Sequence, residues 1–112
     1  MDVAELRAKI KSNEVPNFLA FTGDEWAVQQ IYIDQIIERN VLEKAYVDTV
    51  YEIIPKLGNK NFVANKNRLY LVRDDTKFLK DEAGWEKVES LLGDNILILR
   101  ITKLDKRVKF SI

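Results

Sequence analysis

At 112 residues, with 46% hydrophobic and 32% charged side chains but only four glycines and two prolines, the chain has the makeup of one folded domain. These proportions exclude collagen-like, low-complexity and disordered classes. Eighteen basic residues balance eighteen acidic ones, so no overall field draws the chain toward nucleic acid or an anionic membrane.

The chain opens Met1-Asp2-Val3-Ala4-Glu5-Leu6-Arg7, with charges scattered through it, and no later stretch approaches the roughly 18 apolar residues of a membrane span. A soluble, cytoplasmic protein is expected. Val3, Leu6 and Ile10 recur at helical spacing behind Asp2, a candidate N-cap, and Asn13 with Pro16 closes this first helix. Asn17 to Thr22 follows, bounded by Pro16 and Gly23. Its unbroken apolar run Phe18-Leu19-Ala20-Phe21 suits a strand buried on both faces, as in a parallel sheet. Asp24 is then expected to cap a long helix reaching about Asn40, with Trp26, Ala27, Val28, Ile31, Ile33, Ile36 and Ile37 as its apolar set.

Ala45 to Asp48 reads as a weak short strand, and Thr49 to Leu57 as a helix with Val50, Ile53, Ile54 and Leu57 on one stripe. Pro55 should kink or end that helix, because proline lacks the amide hydrogen and clashes with the preceding turn. Gly58 to Asn67 is polar around the isolated pair Phe62-Val63, and Arg68 to Arg73 is a good strand. Thr76 to Leu92 reads as a helix interrupted near Gly84, and the turn Gly93-Asp94-Asn95 leads into a last strand, Ile96 to Thr102. Alternating strands and helices predict an α/β domain: a mostly parallel sheet with helices on both faces.

Without cysteine or histidine, the chain has no disulfide, thiol nucleophile, imidazole acid–base group or usual structural zinc set. Carboxylate, lysine or hydroxyl chemistry remains, or none. The junction Phe21-Thr22-Gly23-Asp24-Glu25-Trp26 stands where an open α/β sheet usually receives phosphate. A phosphate cradle needs several glycines, a lysine and a hydroxyl. Here one glycine precedes two acids that repel phosphate, so a capping turn is expected. Asp74-Asp75 ends a strand where magnesium carboxylates of nucleotide hydrolases sit, but no phosphate loop faces it. A solvated helix start with Asp75 near the N-cap is the plainer reading. Lys103 to Lys109 is locally basic and permits phosphate-backbone contacts or, more plainly, begins a further helix. Phe62 and Val63, flanked by asparagines and lysines, either tuck onto the domain or stand out as an apolar wedge.

The order of these segments resembles the N-terminal domain of the delta subunit of the bacterial DNA polymerase III clamp loader. The residues that carry the resemblance are Phe18 to Glu25, the long helix, Asn61-Phe62-Val63 ahead of Arg68 to Arg73, and Ile96 to Leu99 leading into Lys103-Leu104-Asp105-Lys106-Arg107-Val108-Lys109-Phe110. The resemblance implies a P-loop-NTPase-like (AAA+) fold with a degenerate nucleotide site, no cofactor and no catalysis of its own. It implies a protein that grips the sliding clamp and helps open it during DNA replication. The clamp-binding residues would be Asn61, Phe62 and Val63, although phenylalanine then valine departs from the family's usual leucine then phenylalanine. The implied partners are the clamp and other clamp-loader subunits, with DNA at most weakly bound and no membrane. The rival readings are a nucleotide-binding or a nucleic-acid-binding α/β domain.

Residues 1–112 are expected to form a single AAA+-like domain without the family's lid and collar domains, since Ile112 falls where the next helix should begin. Such a stop fits either a fragment or a naturally short delta-like protein, for instance one from a phage. If the family's next strand lies beside the first, its absence leaves Phe18 to Phe21 at an unpaired edge that invites pairing with another chain. Sedimentation at high protein concentration is therefore expected to show species above the monomer mass; a strict monomer is the outcome that counts against this edge.

Overall fold

The computed structural model describes residues 3–23, 25–57 and 67–102. Four strands form one sheet: β1 (Phe18–Thr22), β2 (Glu43–Val47), β3 (Arg68–Arg73) and β4 (Ile96–Ile101). Their spatial order is β1-β4-β3-β2, and every pairing is parallel. The helices are α1 (Val3–Ser12), α2 (Trp26–Asn40), α3 (Ile54–Leu57), α4 (Thr76–Leu79) and α5 (Glu82–Leu92), with a 3-10 turn at Val50–Glu52.

Successive strand residues point to opposite faces, so a strand apolar at every position needs cover on both sides. On one face Phe18, Ala20, Tyr70, Val72, Leu97, Leu99 and Ile101 pack with Val50, Ile53, Phe78, Val88 and Leu92. On the other, Leu19, Phe21, Leu69, Leu71, Ile96 and Ile98 pack with Leu6, Ile10, Tyr32, Ile33, Ile36 and Leu42. Helices α3, α4 and α5 thus cover one face and α1 and α2 the other, the three-layer α/β architecture expected from the sequence. The sheet of described residues ends at β1 on one side and β2 on the other. No helix among the described residues is long and apolar enough to cross a membrane.

Several elements differ from their sequence reading, each for a local reason. Helix α2 begins at Trp26, so Glu25 rather than Asp24 holds the N-cap position, and no side-chain cap hydrogen bond forms there. Asp2 and Asp24 lie outside the described residues. The buried face of α2 is Gln29, Tyr32, Ile33 and Ile36, while Val28 and Ile31 are exposed at 45% and 55%. Two polar groups displace the expected stripe: the Gln29 amide seals the preceding turn, and Tyr32 receives a hydrogen bond from Arg7 Nε at 3.1 Å. Strand β2 starts two residues before Ala45, and Glu43 N donates to the Asn67 carbonyl at 2.9 Å.

The segment expected as one helix over Thr49 to Leu57 divides into the 3-10 turn and α3. Pro55 then falls in the first turn of α3, where its missing amide hydrogen is not needed. The interruption expected near Gly84 lies earlier, at Lys80 and Asp81. Asp81 caps α5 by accepting from Gly84 N at 3.0 Å, and a Cβ on Gly84 would approach Asp81 Oδ2 to 2.6 Å. Glycine serves here as the partner of a cap rather than as a breaker. Asn95 joins α5 to the sheet, donating to Leu92 O at 2.9 Å and accepting from Arg68 N at 2.8 Å.

Ile33 is fully buried between α2 and the sheet. Ile33→Ala is expected to lower unfolding stability by about 2–5 kcal/mol, read from urea denaturation, while the same change at exposed Ile31 costs well under half as much.

Candidate functional site

The first candidate is the turn from β1 into α2. Gly23 adopts φ +98°, a conformation open to glycine, and its amide donates to Ile101 O at 2.9 Å. The Gln29 side chain, 5% exposed, reaches back from α2 and donates Nε2 to the Thr22 and Gly23 carbonyls, each at 3.4 Å. The inner side of this turn is therefore occupied by a protein amide bonded to carbonyl oxygens. A phosphate cradle instead needs free backbone N–H groups directed at the anion.

The second candidate is the carboxylate pair after β3. The two side chains diverge. Asp74, with φ +52°, turns toward β4 and accepts from Thr102 N at 2.8 Å and Thr102 Oγ1 at 3.0 Å. Its own amide donates to Arg100 O at 2.7 Å, so Asp74 ties the ends of β3 and β4 together. Asp75 turns to the other side and is 7% exposed, which corrects the expectation of a solvated helix start. Its Oδ2 accepts from Thr49 Oγ1 and Val50 N, both at 2.9 Å, and its Oδ1 accepts from Phe78 N at 3.1 Å. Asp75 is thus the N-cap of α4, as expected, and also the anchor of the 3-10 turn.

Both carboxylates spend their oxygens on protein donors and do not converge on a shared point. Among the described residues, no three or more carboxylate or other metal-ligating side chains gather in one place. A third acid, Asp81, accepts from the Tyr51 hydroxyl at 2.8 Å, and this bond raises the tyrosine pKa above its ordinary value, aided by burial and by the nearby carboxylate charges.

The wedge candidates Asn61, Phe62 and Val63, and the basic stretch Lys103 to Lys109, lie outside the described residues. The anchors of the segment holding the wedge are defined. The chain leaves α3 at Leu57, on the face covered by α5, and rejoins the sheet at Asn67, whose carbonyl bonds β2. Asn67 directly precedes β3, while the Asp74-Asp75 pair and the β1–α2 turn stand at the C-terminal ends of the strands.

One arrangement escaped the sequence reading. Arg73 and Arg100 are register partners at the ends of β3 and β4, and both guanidinium groups lie over the Trp26 ring, at 4.5 and 4.6 Å from its centroid. Arg73 and Arg100 each follow an apolar run, a signal visible in the sequence, but only the parallel register sets the two side by side.

Compared with solved structures, the chain is similar to the DNA clamp loader delta protein (YqeN) of Bacillus subtilis, with a TM-score of 0.66 and 20% sequence identity over 97% of this chain. The match covers 38% of that protein's length. No protein-family model matches the chain. No curated protein sequence matches it. The likeness is one of fold, and a delta-like α/β domain is what the order of segments implied.

Because three donors converge on buried Asp75, Asp75→Ala is expected to cost about 2–4 kcal/mol in urea unfolding, and Asp74→Ala, at an exposed site, about 1 kcal/mol. Equal losses would show that burial does not govern the pair.

Proposed function

We propose that this chain is a non-catalytic, cytoplasmic clamp-loader component of the delta type, which binds a sliding clamp through Phe62 and Val63, with Asn61 beside them, and stabilises an opened ring during DNA replication. The observation that carries the reading is the fold likeness to a clamp loader delta protein across 97% of the chain. The sequence adds an apolar doublet in a polar connection ahead of β3. The occupied β1–α2 turn and the committed carboxylates support a role in binding rather than nucleotide hydrolysis.

In physical terms, the doublet would act by moving apolar surface from water into a pocket of the ring. Full burial of a phenylalanine is worth about 1.5–3 kcal/mol, enough for one side chain to serve as an interface anchor. The domain would contribute binding energy toward opening, with ATP-driven steps belonging to other loader subunits.

An amide chemical-shift map of the labelled protein titrated with a bacterial clamp should localise the largest changes to residues 58–67. Phe62→Ala should cost at least ~2 kcal/mol of clamp binding with thermal stability unchanged. Undiminished clamp binding, or a large drop in melting temperature, rules out the outward wedge. Isothermal titration with ATP and magnesium should give no binding heat; saturable binding near Asp74 favours the nucleotide-binding alternative.

A further inference from the structure

The C-terminal ends of β2, β3 and β4 frame a second feature, a cleft of about 320 Å³ beside the start of α2. Trp26, Tyr46, Leu71 and Val72 supply apolar wall, and Arg73 and Arg100 line it as the cationic groups. Its size is at the lower end of small-molecule sites. In open α/β sheets, ligands gather at this end of the strands.

The two arginines are held in different ways. Arg100 is half-buried and fixed by three neutral acceptors: Gln29 Oε1 at 3.1 Å, Gln30 Oε1 at 3.3 Å and Trp26 O at 3.1 Å. Burial lowers its pKa from the ordinary arginine value, Tyr46 offsets part of this, and the Arg73 charge adds to the lowering. Arg73 has a side chain 71% exposed and a loose ion pair, 3.8 Å from Nε to Asp74 Oδ2, with a carboxylate that already serves Thr102. Two like charges therefore share one indole ring, and Arg73 holds Asp74 as a loose acidic counterpart. A guanidinium presents its donors in a planar fork that suits a carboxylate, and stacking on an aromatic ring leaves the fork's edge available. Asp48 also lines the cleft and disfavours a second negative charge on whatever enters.

We propose that this cleft is a binding site for a small monoanionic carboxylate carried on a flat apolar body, with the carboxylate bridging Arg73 and Arg100 and the body lying against Tyr46 and Leu71. The anion offsets the repulsion between the guanidinium groups, and the apolar body covers Tyr46, which stands 69% exposed on edge strand β2. Neither half of the ligand suffices: a bare carboxylate leaves the apolar wall wet, and an uncharged ring leaves the arginines uncompensated. The cleft is lined by residues other than Asn61, Phe62 and Val63, so the proposal goes beyond the clamp-binding reading and does not depend on it.

The test is a titration of the ¹⁵N-labelled full chain with 3-phenylpropanoate, followed at the two tryptophan indole N–H signals. Trp85, whose Nε1 donates to Phe78 O at 2.8 Å on the other face, is the internal reference. The Trp26 signal is expected to move saturably below about 20 mM ligand while Trp85 stays fixed, with acetate and 3-phenylpropan-1-ol each at least about tenfold weaker. Arg73→Gln, at an exposed position, should keep the melting temperature and weaken binding at least about tenfold. No saturable shift of Trp26, equal binding of acid and alcohol, or full affinity in Arg73→Gln overturns the proposal. Tighter binding of phenyl phosphate than of the carboxylate overturns the preference for a single charge.

Discussion

Strands β3 and β4 are apolar on both faces, and the remainder of the chain is arranged so that water reaches neither. Leu69 and Leu71 face α1 and α2 while Tyr70 and Val72 face α3 to α5, and Ile96 to Leu99 divide in the same way. Such strands are stable only inside a sheet covered on both sides. With β1 and β2 flanking them in parallel, every connection must cross a face, and these crossings supply α2 to α5, while α1 covers its face from ahead of β1. Exposed positions on α2 follow from the same geometry, since one helix cannot bury its whole circumference against one sheet.

Parallel strands all begin at one end and finish at the other, which gives the domain two chemically different ends. At the C-terminal end, polar side chains close the structure: Gln29 seals the first turn, Asp74 fastens β3 to β4 through Thr102, and Asp75 joins α4 to the 3-10 turn. The Asp74 and Asp75 carboxylates and the carbonyls of the β1–α2 turn are satisfied by the protein's own donors. In the sequence, the connection between α3 and β3 holds Asn61, Phe62 and Val63.

The two candidate sites would carry separate functions. An apolar anchor works through transfer from water and asks little of the surrounding charge, whereas the Arg73–Arg100 pair works through charge and ring stacking and needs the β3–β4 register to assemble.

The amino-acid sequence by itself determined the strands and the class of fold. Unbroken apolar runs such as Phe18 to Phe21 and Ile96 to Leu99 have one economical placement, inside a parallel sheet, and the Pro55 ring ends any helix that tries to run through it. It also showed the Phe62-Val63 doublet as a chemical oddity in a polar connection. Only the tertiary structure decided which face of α2 is buried, because Gln29 and Tyr32 are drawn inward by a turn and by Arg7, partners distant in the sequence. It likewise decided that Asp75 is buried and that Arg73 and Arg100 meet over Trp26. Hydrophobic periodicity is a local property and can be read along the chain, but a hydrogen bond or a stacked charge belongs to two segments at once and exists only after the sheet has brought them together.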